Sequence, residues 1–196
     1  MISSRFFSLH NHEHGFLLRL ESADGTNRLT RECVLSLHAC IQKIKAASRP
    51  LVITGNEKTF SVGADLLEIA ALNGTTAYDF SKIGQELMRG IEEFPAPVYA
   101  AISGYCMGGG LDLALACHRR IASPHTVFGH RGAALGLITG WGGTQRLPRL
   151  VGKSVALQMF LGAEKVNARR ALAIGLIEGV AEDPVGEAFG RIANRD

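Results

Sequence analysis

The chain has 196 residues, a formal net charge of +3 and a hydrophobic content of 46%, which together predict a single soluble globular domain with a substantial core. So small a net charge, with the basic residues scattered along the chain, argues against nucleic acid as a partner. The most apolar window, residues 98–117, contains three adjacent glycines and Asp112, and a membrane span is therefore not predicted.

The cysteines and the amino-terminal residues indicate a cytoplasmic protein. None of the cysteines has CxxC spacing or a flanking histidine pattern, so they are predicted to be reduced, mostly buried thiols, and no metal site is predicted. The first residues lack a charged stretch followed by an apolar one, and no signal peptide is predicted. The cysteines are Cys33, Cys40, Cys106 and Cys117.

Strand-like and helix-like segments alternate along the chain. The predicted strands span residues 16–20, 51–54, 98–102, 120–122 and 126–129. The predicted helices are a segment capped by Thr30 that ends near Ile44, followed by residues 66–71, 79–93, 111–116, 153–161, 168–174 and 184–194. This alternation predicts an α/β fold with mostly parallel strands.

The segment Gly-Tyr-Cys-Met-Gly-Gly-Gly-Leu-Asp at 104–112 is the most informative motif, because it joins a predicted strand to a predicted helix. The first N–H groups of a helix have no partner within the helix and carry the positive end of its dipole. Three consecutive glycines leave only backbone at this junction, so an oxygen that carries negative charge can approach those N–H groups closely. The motif predicts one half of an oxyanion hole, and a tightly packed glycine turn is the alternative.

A second strand–loop–helix junction lies at Thr-Phe-Ser-Val-Gly-Ala-Asp, residues 59–65, after the predicted strand at 51–54. Two such junctions can each offer a backbone N–H to the same carbonyl oxygen. Two further segments follow in order, Phe-Gly-His-Arg at 128–131 and Gly-Trp-Gly-Gly-Thr-Gln-Arg-Leu at 140–147. In their order and spacing these motifs resemble the crotonase superfamily, the enoyl-CoA hydratase/isomerase family, from about residue 27 to residue 179.

The resemblance implies a crotonase-like ββα spiral, with two roughly perpendicular sheets flanked by helices. It implies that residues 1–196 form one crotonase-like domain that lacks part of the usual C-terminal helical region. It also implies an acyl-CoA substrate of fatty acid metabolism, with coenzyme A as part of the substrate and no other cofactor. Assembly into a homo-trimer or a hexamer is a further expectation.

The resemblance also assigns roles to individual residues. The backbone N–H groups of Ala64 and Gly109 take the positions of the oxyanion-hole donors. Asp112 takes the position of one catalytic glutamate, and Gly132 takes the position of the other, so the second carboxylate is absent. The residues expected to contact the substrate are Asn27, Arg28, Gly63, Asp65, Leu66, Gly108, Gly132 and Trp141.

The missing carboxylate at Gly132 leaves several functions open. The first is an acyl-CoA enzyme of the enoyl-CoA hydratase/isomerase class that stabilises a thioester enolate. An enoyl-CoA isomerase or an acyl-CoA decarboxylase would use a different acid/base set, and a non-catalytic acyl-CoA-binding homologue is the alternative from another class. His130 and Arg131, the two residues before Gly132, are candidate substitutes for the missing carboxylate, because histidine exchanges protons near neutral pH. A lone histidine at a strand end is, however, more typical of a structural hydrogen bond.

Overall fold

The computed structural model of the chain describes residues 2–194. Its strands are, in chain order, β1 (Ile2–Ser3), β2 (Phe7–His12), β3 (Gly15–Leu20), β4 (Arg28–Leu29), β5 (Leu51–Thr54), β6 (Thr59–Ser61), β7 (Gly63–Ala64), β8 (Val98–Ile102), β9 (Tyr105–Met107), β10 (Arg119–Ala122), β11 (Val127–Gly129), β12 (Lys165–Asn167) and β13 (Gly179–Val180). Its helices are α1 (Arg31–Lys45), α2 (Leu66–Ala70), α3 (Gly74–Glu92), α4 (Gly109–Ala116), α5 (Gly143–Val151), α6 (Lys153–Leu161), α7 (Ala168–Ala173) and α8 (Pro184–Ala193), with a 3₁₀ helix at Gly132–Leu135.

The largest sheet has seven strands in the order β1-β2-β3-β5-β8-β10-β13. Its first three strands pair antiparallel, and every later pair in this sheet is parallel. All residues of β5 and β8 are buried, as expected for the central strands of a parallel sheet that is covered on both faces. The predicted α/β fold with mostly parallel strands is therefore confirmed.

A four-stranded sheet, in the order β12-β11-β9-β6, positions the two glycine motifs. Strands β6 and β9 lie side by side and parallel, and β11 pairs parallel with the other side of β9. The segment after β6 continues into β7 and α2, and the segment after β9 continues into α4. Because the carboxyl ends of neighbouring parallel strands lie at one edge of a sheet, both strand–helix junctions reach the same edge.

The helices begin where side chains cap their first N–H groups. Thr30 accepts a hydrogen bond from Cys33 N at the start of α1, as predicted. Helix α3 begins at Gly74, earlier than the predicted start at residue 79, because Asn73 and Thr76 form a reciprocal capping box. This cap outweighs the low helix propensity of the glycine and the threonines that follow it.

Several elements have no signal in the sequence pattern. These are β2, the 3₁₀ helix, helix α5 and the short strands β1, β4, β6, β7, β9, β12 and β13. A strand of two or three residues is too short to show alternation, and cross-strand packing rather than local preference forms it. Helix α5 is masked by the glycines at its start and by Pro148 inside it.

The four cysteines are buried free thiols, as their spacing predicts. Burial raises the pKa of Cys33 and of Cys117 to about 12, so their reactive thiolate forms are suppressed at neutral pH. Among residues 2–194, no group of histidine, cysteine and carboxylate side chains is arranged to hold a metal ion. Within the same range, none of the helices combines the length and the hydropathy that crossing a bilayer requires.

Candidate active site

The two strand–helix junctions meet at one edge of the four-stranded sheet. Gly108 links β9 to α4 with φ 52° and ψ −122°, a backbone conformation that glycine alone adopts readily. A Cβ atom on Gly63 would lie 2.7 Å from the Gly109 nitrogen, and a Cβ atom on Gly109 would lie 3.4 Å from the Ala64 nitrogen. The amide nitrogens of Ala64 and Gly109 are therefore close neighbours.

A cavity of about 830 Å³ opens beside these two amides, and both Ala64 and Gly109 line it. Because Gly109 is the first residue of α4, its N–H has no partner within the helix and lies at the positive end of the helix dipole. Most of the side chains that line the cavity are apolar, and its two carboxylates are Asp65 near the surface and Asp112 in the interior. The cavity thus combines apolar walls with a few polar groups, as small-molecule sites do.

Asp112 is fully buried in the first turn of α4. Its Oδ2 accepts a hydrogen bond from Thr139 Oγ1, which lies 27 residues further along the chain. Its Oδ1 lies 3.2 Å from His130 Nε2, and neither of these two atoms makes a hydrogen bond with any residue in the range 2–194. The tertiary structure therefore joins a carboxylate, a hydroxyl and an imidazole that are distant in sequence.

Trp141 forms one wall of the cavity. Its Nε1 donates a hydrogen bond to the Phe80 carbonyl oxygen at 3.2 Å, and its ring centroid lies 5.2 Å from that of Phe80. A Cβ atom on Gly84 would lie 2.2 Å from the indole, and one on Gly109 would lie 2.5 Å from it. The indole therefore fills a slot that these two glycines leave open, directly beside the Gly109 amide.

Charged side chains stand at the mouth of the cavity. Arg28 is half-exposed, with Nη2 3.1 Å from Asp24 Oδ2 and Nε 3.9 Å from Asp65 Oδ2. Asp65 Oδ1 also accepts hydrogen bonds from the N–H groups of Leu67 and Glu68, at 2.8 and 3.1 Å, and so caps α2. The guanidinium of Arg28 is therefore held between the carboxylates of Asp24 and Asp65, and the exposed Arg131 also lines the cavity.

Most of the residues that the sequence assigns to the site line this cavity. They are Arg28, Ala64, Asp65, Leu66, Gly108, Gly109, Asp112, Gly132 and Trp141. Asn27 and Gly63 do not line it: Asn27 is 3% exposed, and its side-chain amide donates to the carbonyl oxygens of Thr59 and Phe60, each at 3.1 Å. The Asn27 side chain is therefore hydrogen-bonded within the protein, and Gly63 provides the close approach to Gly109. The predicted substrate contacts of both residues stay predictions.

Gly132 lines the cavity at the start of the 3₁₀ helix, but its backbone has no room for the glutamate of the family pattern. A Cβ atom there would lie 2.6 Å from the Leu137 carbonyl oxygen.

We expect Gly132→Glu to lower the free energy of unfolding by about 1–3 kcal/mol, measured by chemical denaturation. Ala133→Glu, an exposed neighbour that does not line the cavity, is the matched control and should leave stability unchanged. A fully stable Gly132→Glu protein would contradict this expectation.

Two residues of the site, Thr139 and Phe80, carry no sequence signal that assigns them to it, and the signal at His130 is ambiguous. Thr139 lies in a loop with no motif of its own, and the apolar periodicity around Phe80 predicts only that it belongs to the buried face of a helix. His130 is in a recognisable motif, but its pattern favours a structural role. The pairing of His130 with the Asp112 carboxylate would have indicated a catalytic role, but the sequence does not show that pairing.

Residues 16–189 match the family described as enoyl-CoA hydratase/isomerase. The chain belongs to this family. Among solved structures, DspI from Pseudomonas aeruginosa is 32% identical with a TM-score of 0.92, and the match covers 100% of this chain and 83% of that one. An enoyl-CoA hydratase from Bacillus anthracis is 33% identical with a TM-score of 0.88, over 96% of this chain and 76% of that one. An enoyl-CoA hydratase from Thermoplasma volcanium is 32% identical with a TM-score of 0.92, over 97% of this chain and 77% of that one.

Membership of the enoyl-CoA hydratase/isomerase family confirms the resemblance that the motifs indicate. The crotonase-type α/β fold is confirmed with it, since several sheets flanked by helices match these structures over nearly the whole chain. The match therefore extends well beyond the glycine motifs themselves. The domain description, the assembly and the roles of individual residues stay predictions.

Proposed function

We propose that this enoyl-CoA hydratase/isomerase family member binds an acyl-CoA thioester and stabilises its enolate with the backbone N–H groups of Ala64 and Gly109. The observation that carries the proposal is the packing of these two amides against one another beside a single cavity. An acyl carbonyl placed at this point would have an N–H donor from each of the two junctions within reach. The first turn of α4 adds the positive end of its dipole.

Two backbone donors suit enolate chemistry for an electrostatic reason. When the α-proton of a thioester leaves, negative charge moves to the carbonyl oxygen, so donors fixed near that oxygen stabilise the transition state more than the ground state. One such donor typically contributes about 3–4 kcal/mol. The apolar walls strengthen the interaction because they lower the local dielectric constant.

Asp112 supplies the proposed proton-transfer group. It is the carboxylate in the cavity interior and lies one helical turn from the Gly109 amide. A carboxylate placed beside the α-carbon can remove or return the proton whose loss creates the enolate. Since Gly132 has no side chain, the chain does not reproduce the pair of glutamates that the hydratases of this family carry.

Coenzyme A is proposed to enter as part of the substrate, with no other cofactor. Its phosphates would lie across the mouth, where Arg28 is half-exposed and can form charge-assisted hydrogen bonds with phosphate oxygens. The acyl group would occupy the apolar interior near Trp141. Enolate chemistry itself moves protons only, so it requires no redox partner.

Three candidate reactions of this protein share the enolate. Hydration of an enoyl thioester, a shift of its double bond and decarboxylation of an acyl thioester all place charge on the same oxygen. The competing function is a non-catalytic acyl-CoA-binding protein, and the glycine at 132 is the observation that favours it. Both functions require thioester binding, but only the first requires proton transfer.

A chromophoric thioester tests the proposal without assuming a subtype. Hydrogen bonds to the carbonyl of 4-dimethylaminocinnamoyl-CoA draw electron density from the amino group to the oxygen and shift its absorption to longer wavelength. We expect this red shift on binding to the wild-type protein, together with exchange of the α-protons of a saturated acyl-CoA in D₂O, followed by NMR. Red shift without exchange on any thioester would support the non-catalytic alternative. Binding without a red shift would contradict the oxyanion hole.

We also propose that the protein assembles into a homo-trimer or a hexamer and that α6 contributes to the interface. Leu157 and Leu161 on this helix are 55% and 69% exposed, and adjacent exposed leucines are typical of association surfaces. Light scattering is expected to give a multiple of the monomer mass, and the double variant Leu157→Lys, Leu161→Lys to give a smaller one. A wild-type protein that is monomeric at every concentration would contradict this assembly.

A further inference from the structure

A buried histidine faces the carboxylate of the proposed site. His130 is 4% exposed and lines the cavity, and its Nε2 lies 3.2 Å from Asp112 Oδ1. Neither atom has a hydrogen-bond partner among residues 2–194. Since buried polar atoms in folded proteins are nearly always hydrogen-bonded, two such atoms that face each other beside an open cavity are placed to exchange a proton with each other and with a bound molecule.

The neighbouring residues hold this pair in place. Gly143 makes room for it, because a Cβ atom there would lie 2.1 Å from Asp112 Oδ1 and 3.1 Å from His130 Nε2. Thr139 donates to the other carboxylate oxygen of Asp112, which leaves Oδ1 free to face the imidazole. A larger residue at Gly143 would push Asp112 and His130 apart. The hydrogen bond from Thr139 holds the Asp112 carboxylate with Oδ1 toward the imidazole.

The electrostatic surroundings of His130 are simple. Asp112 is its one ion-pair neighbour among residues 2–194, and it reaches the imidazole from α4. From α6, the uncharged ring of Phe160 packs against it with centroids 4.9 Å apart. Arg131, the next residue along the chain, is exposed. A proton held at His130 Nε2 therefore faces Asp112 Oδ1.

We propose that His130 is the second proton-transfer group of the site and works as a pair with Asp112. This inference rests on the proposed function. Asp112 Oδ1 takes the α-proton, so a C–H bond breaks, an O–H bond forms and the electron pair moves to the thioester oxygen. The proton then passes to His130 Nε2, which breaks the O–H bond, forms an N–H bond and restores the carboxylate.

The protonated imidazole returns the proton to the substrate. In D₂O the imidazolium proton can be replaced by a solvent deuteron through the open cavity, and delivery of that deuteron to the α-carbon gives exchange; delivery to the γ-carbon of a dienolate moves the double bond. Atoms and electrons balance in both cases, because one proton leaves carbon and one returns to it with no oxidant, reductant or further reactant. Asp112 and His130 would therefore carry out together the proton transfers for which the family pattern has two carboxylates.

The first test compares α-proton exchange of an acyl-CoA in D₂O across pH for the wild type, His130→Gln and His125→Gln. Glutamine keeps polar atoms but has no acid/base proton. We expect His130→Gln to lower the exchange rate by about 10²-fold, to lose an ionisation that the wild-type pH profile contains, and to keep the wild-type KM. His125 is exposed, and its variant should keep the wild-type rate and profile.

Chemical rescue separates proton transfer from packing. His130→Ala leaves a gap beside the cavity, which imidazole added to the solution can enter. We expect imidazole and its methylated forms to restore exchange in the order of their basicity, measured at equal occupancy. A ring that only fills space would show no dependence on basicity.

Failure of this inference is distinguishable from failure of the proposed function. A wild-type rate and pH profile in His130→Gln, alongside lost exchange in Asp112→Asn, would overturn the role of His130 and leave the enolate chemistry standing. Exchange that is lost in both His130 variants and not rescued by any imidazole would also overturn it. A wild-type protein with neither red shift nor exchange would instead remove the proposed function itself.

Discussion

Asp112→Asn is expected to lower the rate of α-proton exchange by about 10²- to 10⁴-fold, because it removes the interior carboxylate of the cavity. Asparagine has nearly the same shape, and its amide oxygen can accept the hydrogen bond that Thr139 now donates to Oδ2. The unfolding midpoint and the thioester affinity should therefore stay near their wild-type values. NMR exchange rates, titration calorimetry and thermal unfolding provide the three measurements.

Asp79→Asn is the matched control for this substitution, since Asp79 is an exposed aspartate on α3. It should change neither exchange nor affinity. An Asp112→Asn protein that exchanges α-protons at the wild-type rate would refute the proposed role of the carboxylate. Equal binding with no exchange in either protein would favour the non-catalytic acyl-CoA-binding alternative.

Trp141→Ala is expected to reduce the free energy of unfolding by about 3–5 kcal/mol and to change which acyl groups the cavity accepts. The indole is 3% exposed, donates to the Phe80 carbonyl and fills the slot between Gly84 and Gly109. Its removal joins that slot to the cavity beside the proposed carbonyl position. The ratio of kcat/KM for branched or longer acyl-CoA thioesters to that for short straight ones should therefore rise.

Phe189→Ala separates the stability effect from the specificity effect. Phe189 is a buried aromatic residue of α8 that stacks on His12 in a separate core cluster. Its loss should lower the free energy of unfolding by a similar amount, measured by urea denaturation, without changing the order of preferred acyl groups. If Trp141→Ala, or the milder Trp141→Leu, leaves that order unchanged, the indole does not limit the acyl end of the cavity.

The sequence by itself determined the elements whose signals are local. Thr30 caps α1 as predicted, and the strands at 51–54 and 98–102 lie where short apolar runs between polar turns place them. Caps, apolar periodicity and proline stops act within a few residues, so they can be read without the fold. The three glycines before Leu111 are also a local signal, because they leave the strand–helix junction without side chains in any fold.

Only the tertiary structure decided which groups meet. The pairing of β6 with β9 brings the two strand–helix junctions together, and neither strand has a sequence pattern of its own. The same packing sets His130 beside Asp112 and leaves no room at Gly132 for a glutamate side chain. These outcomes depend on contacts between distant segments whose geometry is fixed by cross-strand pairing and close packing. No short-range preference in the chain encodes them, which is why the site could be outlined from its motifs but not completed.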